Sequence, residues 1–294
     1  MEIWCIITLL SYERGFTMIS NTKHVFLRTS IIIVLICILT GGLTTFASNT
    51  DTFTNITSGC TLWTFSVGDT PFEWIQRKGD TPQYVVLQLH GGAYTMSLSP
   101  TVYRRSAIEF AKRCGVGVLS VDYRVAPKDP YPAALEDALK AYLWLLDQGY
   151  KPENIIISGD SAGGGLTLAT ALYLRDHNMP LPAALITMSA WTDLKQGILA
   201  SPYIGNGNPE DPYISPIYAD FYNLPPILMQ YGKGELIAND SINLAAKAIA
   251  QGASLRLTEY DGQLHVFQIL VPNTAASRNA WTEVEEFIKK IFNI

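Results

Sequence analysis

The 294-residue chain is poor in the residues that build metal and redox centres. Its four cysteines, Cys5, Cys37, Cys60 and Cys114, form no C-x-x-C pair and do not cluster with histidine, which argues against a zinc site. Histidine is as scarce, with only His24, His90, His177 and His265. There is no run of Lys and Arg and no interleaving of basic with aromatic residues, and the net charge is −5, so nucleic acid is not an expected partner. Repeats, charge blocks and low-complexity linkers are missing as well. What remains, at 48% hydrophobic and 16% charged, is the composition of a globular chain long enough for one large core or two small ones.

The first 48 residues read as separate from that core. Ile31 to Leu39 is an unbroken apolar run preceded by Lys23, His24 and Arg28 and followed by small residues up to Ala47-Ser48. A basic flank, a short apolar centre and a small-residue exit form the pattern of an export signal cleaved after Ala47 or Ser48. The alternative is an uncleaved anchor, with 29–48 stretched across a thin bilayer and the protein associated with the membrane. The pattern starts naturally near Met18, so residues 1–17 read as an upstream extension from a misplaced start. The expectation is an exported protein (secreted, periplasmic or cell-surface) whose folded domain spans 49–294. Export would permit a Cys60–Cys114 disulfide; two free thiols with Cys114 buried is the simpler reading.

Beyond residue 60 two kinds of segment alternate. Strands are expected at 62–67 and 72–77, an antiparallel pair around the Asp69-Thr-Pro71 turn, and then at 84–89, 116–121, 154–158, 183–189, 226–231 and 254–259. Helices are expected at 102–112, 132–146, 162–176, 241–251 and 276–291. Strands that are apolar on both faces and alternate with helices predict an α/β fold, a mostly parallel sheet covered on both sides. The one irregular interval, 192–222, reads as a small lid on a single domain.

Gly159-Asp-Ser-Ala-Gly-Gly164 joins an apolar strand to a helix. Glycines around a serine at such a turn permit the sharp elbow that lifts a hydroxyl above the sheet, so Ser161 is the candidate nucleophile. A base must accompany it. His177 ends a polar helix, and His90 opens the loop His90-Gly-Gly-Ala-Tyr94, where it reads as structural support. His265 lies in the loop between the last strand and the last helix and is the candidate base. The acid belongs after the penultimate strand, where Glu235 stands. Asp240 reads as a cap of the helix from 241, and Asp261 lies in the wrong loop. Gly91 and Gly92, with no Cβ to obstruct a ligand, and Ala162, after the nucleophile, are the expected oxyanion donors. The order Ser161, Glu235, His265 is that of the α/β-hydrolases.

The motifs His90-Gly-Gly-Ala-Tyr94, Asp122-Tyr-Arg-Val-Ala-Pro127, Tyr131-Pro-Ala-Ala-Leu-Glu-Asp-Ala138, Gly159-Asp-Ser-Ala-Gly-Gly164 and Asp211-Pro-Tyr-Ile-Ser-Pro216 together resemble the hormone-sensitive-lipase-like family of α/β-hydrolases. The resemblance runs from about Val85 to the final helix. It implies hydrolysis of short- to medium-chain carboxylic esters through an acyl-serine, without metal or cofactor, with a small-molecule ester as the partner. It also implies supporting roles for Asp122, Arg124, Asp137 and Asp160. Two departures stand out. Lys128 replaces the acid usual after Ala-Pro, and only sixteen residues separate Leu194 from Asp211, where such proteins carry a longer cap segment. A reduced cap over an open pocket walled by Tyr94, Trp191, Tyr203 and Phe267 is the expectation. The same triad would serve an amidase, a lactone hydrolase or an acyltransferase. A non-catalytic receptor on this fold would lack the histidine that this chain has.

Overall fold

The computed structural model describes residues 59–196 and 201–294. The expected export segment, the boundary near 48 and the start at Met18 lie outside them. Eight strands form one sheet in the order β1-β2-β4-β3-β5-β6-β7-β8. β1 (Cys60–Val67) and β2 (Thr70–Arg77) make an antiparallel hairpin in which Val67 pairs with Thr70. The turn is therefore Gly68-Asp69, one residue earlier than the proline suggested, and Gly68 takes the left-handed backbone (φ +59°) that such turns require. β2 also pairs antiparallel with β4 (Gly117–Val121). The others, β3 (Val85–Leu89), β5 (Ile155–Asp160), β6 (Ala184–Met188), β7 (Ile227–Gly232) and β8 (Leu255–Tyr260), run parallel.

The helices are α1 (Pro100–Cys114), α2 (Ala133–Asp147), α3 (Ser161–Asp176), α4 (Ala238–Ala250), the single turn α5 (Phe267–Leu270) and α6 (Ala275–Phe292). Alternate strand residues enter two separate cores, as the two-residue period of a strand requires. Val85, Leu87 and Leu89 pack with Leu135, Tyr142, Leu166 and Leu244 from α2, α3 and α4. Val86, Val118 and Ile156 pack with Phe110 of α1 and with Trp281 and Ile288 of α6. Cys60 and Cys114 are both free thiols, and they sit among different charges, Lys112 and Arg77 around one and Glu285 and Lys289 around the other. Burial pushes the Cys114 thiol up to about 12.

The expected elements all form, with ends shifted by a few residues. The turn α5 is additional. In the irregular interval, the described residues hold two short 3₁₀ turns, Pro202–Ile204 and Pro216–Tyr218. This stretch does not stand off as a lid. Tyr203, Ile214 and Phe221 are wholly buried, and Tyr131 N–H donates to the Tyr203 carbonyl at 2.7 Å. Its apolar residues tie it down to the core. Among the described residues no helix is long and apolar enough to cross a membrane.

From β3 the chain crosses to β4 on one side and then returns to β5 on the other, so the strand order reverses there. The carboxyl ends of strands at such a switch point leave a crevice between diverging loops. The loops after β3, β5, β7 and β8 carry every catalytic candidate.

Candidate active site

Ser161 sits between extended Asp160 (φ −120°, ψ 150°) and the first turn of α3 with φ +51°, a left-handed backbone that a non-glycine residue adopts only at a cost. Neighbouring glycines impose it. A Cβ at Gly159 would overlap the Gly163 carbonyl, and one at Gly163 would overlap the carbonyls of Leu89 and His90. One at Gly165 would overlap the Trp191 carbonyl. The helix therefore lies backbone to backbone on its neighbours, and the elbow has one way to turn.

His265 reaches back across the crevice so that its Nε2 is 2.9 Å from Ser161 Oγ. Its Nδ1 is 3.5 Å from Oε2 of Glu235, whose side chain is entirely buried. The hydroxyl donates to Nε2 when Nδ1 carries the ring proton, and a carboxylate beside Nδ1 favours that tautomer. The three candidates, 104 residues apart at the extremes, thus stand in file. The other acids are elsewhere. Asp240 accepts the Thr192 and Asp193 N–H groups at 2.8 and 2.9 Å, stitching α4 to the loop after β6 rather than capping its own helix. Asp261 projects into solvent, 4.0 Å from Lys233. His177 stacks on Tyr173 at 3.8 Å at an exposed helix end.

The loop after β3 corrects one oxyanion assignment. Gly91 N–H donates to the Tyr103 hydroxyl at 2.7 Å and to Asp160 Oδ1 at 3.2 Å, so it faces the interior and is unavailable to a substrate. A Cβ there would overlap the Asp160 carboxylate, which explains that glycine. The next residues carry positive φ in succession: Gly92 at +114°, Ala93 at +55° and Tyr94 at +59°. Among the described residues the N–H groups of Gly92 and Ala93 have no acceptor. Ala162 N–H, in the first turn of α3, has no intrahelical partner either. Sequence reading missed Ala93 because alanine carries no glycine-like signal.

His90 is support, not base. Its ring lies flat on Tyr123 at 3.9 Å, and Nδ1–H donates to the Gly91 carbonyl at 2.7 Å. Burial lowers its pKa to about 4, so it is neutral at pH 7. Asp160, also buried, is pushed up to about 6 and accepts from Tyr103 at 3.0 Å. Asp137 takes the Arg124 guanidinium at 2.9 Å, and Asp122 takes Leu98 N–H at 2.7 Å; both brace loops. Lys128 is solvent-exposed, 3.9 Å from Asp129.

The pocket expectation is corrected too. Tyr94, Tyr203 and Phe267 are at most 1% exposed and Trp191 is 9% exposed, so these are core residues beneath the site rather than walls of an open pocket. Tyr94 and Tyr203 stack at 3.9 Å, and Phe267 packs on Tyr260 at 5.0 Å. Among the described residues, the apolar side chains that face solvent beside the site are Met96, after the oxyanion loop, and Leu264, before His265. Among the described residues no cluster of His, Cys, Asp and Glu could hold a metal ion.

A serine on an elbow, a histidine from the last loop and a buried carboxylate from the one before it define a serine hydrolase on an α/β-hydrolase sheet. Residues 86–201 and 195–269 match the profile of a family described by its alpha/beta hydrolase fold. The chain is 33% identical over 244 residues to an acetyl-hydrolase of Streptomyces hygroscopicus, covering 76% of this chain and 81% of that one. It is 32% identical over 224 residues to an esterase of Acinetobacter venetianus, covering 69% and 74%. A crystal structure of an esterase of the bacterial hormone-sensitive lipase family superposes with a TM-score of 0.77 at 32% identity, over 93% of this chain and all of that one. The chain belongs to this α/β-hydrolase family, of the hormone-sensitive-lipase type.

Proposed function

We propose that this protein is a serine carboxylesterase that hydrolyses short- to medium-chain carboxylic esters through an acyl-serine. The observation that carries the reading is the 2.9 Å separation of Ser161 Oγ and His265 Nε2, with Glu235 behind the imidazole. Ser161 attacks the ester carbonyl as His265 Nε2 takes its proton, and Glu235 stabilises the imidazolium. The N–H groups of Gly92, Ala93 and Ala162 receive the developing oxyanion. His265 then protonates the departing alcohol, and water hydrolyses the acyl-enzyme by the same route. Relatives named esterase and acetyl-hydrolase favour esters over amides or lactones, and small acyl groups among esters. The basic-flanked apolar run at 31–39 supports an exported protein; N-terminal sequencing of material from outside the cytosol tests this by a start at 48 or 49.

Ser161→Ala is expected to reduce p-nitrophenyl butyrate turnover by about 10⁵-fold or more and to abolish labelling by a fluorophosphonate probe. Undiminished turnover would overturn the assignment.

A further inference from the structure

Glu235 is not held by its own loop alone. Ser189, the residue after β6, is wholly buried and donates its hydroxyl to Glu235 Oε2 at 2.5 Å. The same Oγ accepts the Val266 N–H at 3.0 Å, and Val266 directly follows His265. One hydroxyl therefore joins the acid loop to the base loop, at the carboxylate oxygen that lies 3.5 Å from His265 Nδ1.

The direction of these bonds is fixed. A hydroxyl has one proton, and an N–H can only donate. With Val266 N–H occupying a lone pair, the Ser189 proton points to Glu235. The backbone on both sides is strained to meet it: Ser189 has φ +53° and Val266 φ +52°. For a β-branched valine a left-handed backbone is an outlier, and such residues persist only where the surroundings over-determine them. Ser189 N–H is itself tied to the Gln230 carbonyl at 2.7 Å, which anchors the hydroxyl to β7. Other buried hydroxyls nearby, those of Thr187 and Ser241, have no such partners among the described residues. Glu235 Oε1 also has no partner among the described residues, so among them Oε2 carries the restraint.

We propose that Ser189 is a positioning residue of the catalytic triad. It holds Glu235 Oε2 and the Val266 amide in one register, so that His265 keeps Nδ1 toward the acid and Nε2 toward Ser161. This rests on the triad reading above, and the test separates the two.

The test is a double-mutant cycle on p-nitrophenyl butyrate hydrolysis, with kcat normalised to active sites titrated to completion by fluorophosphonate. Ser189→Ala and Ser189→Gly each remove the hydroxyl, and glycine accepts the left-handed backbone without strain, which guards against a folding artefact. Each is expected to lower kcat about 10–100-fold with KM little changed. In a Glu235→Gln background the same substitutions should cost less than about threefold, because the charge to be positioned is gone. An equal factor in both backgrounds, a loss confined to KM, or no loss at all overturns the positioning role. Failure of the triad reading would show separately, as a Ser161→Ala protein that still turns over.

Discussion

Around Ser161 the chain is packed chiefly backbone against backbone, whereas around Glu235 and His265 one such approach, Gly232 against the Gln263 and Leu264 carbonyls, is joined by a set of side-chain hydrogen bonds. On the nucleophile side, Gly91, Gly159, Gly163 and Gly165 each sit where a Cβ would overlap a neighbouring carbonyl or carboxylate. On the acid–base side the ties are Ser189 to Glu235 and Val266, and Gln268 to Gln230 to Glu283. Apart from Gly232, the two halves are therefore sensitive to opposite changes. The first fails when atoms are added, since close-packed backbone cannot give way. The second fails when a donor or acceptor is removed, since a buried partner is then left unsatisfied.

The largest effect should follow from adding one methyl to the first half. In Gly163→Ala the new Cβ meets the Leu89 and His90 carbonyls, both backbone, so α3 must move away from β3. A destabilisation of about 3 kcal/mol or more is expected, with the elbow displaced and activity on p-nitrophenyl butyrate lost. Gly149→Ala is the control. It has open space around it but φ +91°, and should cost only about 1–2 kcal/mol with specific activity unchanged. Equal melting temperatures for the two variants would show that the glycine contacts are not what shapes the elbow.

The same contrast explains what could be read from sequence. Close backbone approach demands glycine, and glycine at a strand end leaves a visible mark, so Ser161, its elbow and the loop after His90 were legible. The sheet was legible because strands buried on both faces read as short apolar runs. Ser189 was not legible, because a serine bridging two loops looks like any serine at a strand end; its meaning lies in partners 46 and 77 residues away. Gly91 was misread for a related reason. Its lack of a side chain serves the Asp160 carboxylate rather than a ligand, and only the Tyr103 hydroxyl, twelve residues on, reveals where its N–H points. The aromatics at 94, 191, 203 and 267 followed the motifs into the right neighbourhood but into the core beneath it. Composition near a site does not say which side of the surface a ring lies on.

A smaller effect on the nucleophile side depends on pH. Burial pushes Asp160 up to about 6 from the 3.8 of an unfolded aspartate. The folded protein holds this proton more tightly, so the contribution to stability is full below pH 3.8 and is lost as pH rises through about 6. Asparagine does not titrate. Relative to wild type, Asp160→Asn should therefore gain about 2 kcal/mol between pH 4 and 7, read as a widening difference in melting temperature. His90, lowered to about 4, has the opposite slope, losing stability as pH falls below 6.5. It is present in both proteins and cancels in the difference. A difference that stays flat with pH would mean that the Asp160 carboxyl is solvated in the folded state.

The smallest change tests whether the side-chain half is one connected structure. Glu283 is buried on α6 and accepts from Gln230 Nε2 at 2.8 Å, Tyr260 Oη at 3.0 Å, Thr258 Oγ1 at 2.6 Å and Arg256 Nη2 at 2.6 Å. Gln230 Oε1 in turn accepts from Gln268 Nε2 at 3.2 Å, three residues beyond His265. Glu283→Gln keeps the shape and one acceptor oxygen while turning the other into a donor, which faces donors on that side. A cost of about 1–2 kcal/mol is expected, no larger than that of Gly149→Ala. The distinction lies in activity. Gly149 has nothing against it, so its loss of stability should leave turnover per folded molecule intact. The Glu283 change alters the network on which the Gln268 segment rests, so kcat should fall severalfold at temperatures where both variants are fully folded. If the two lose the same stability and neither loses kcat, the Glu283 network does not reach the base loop and serves only to fasten α6 to the sheet.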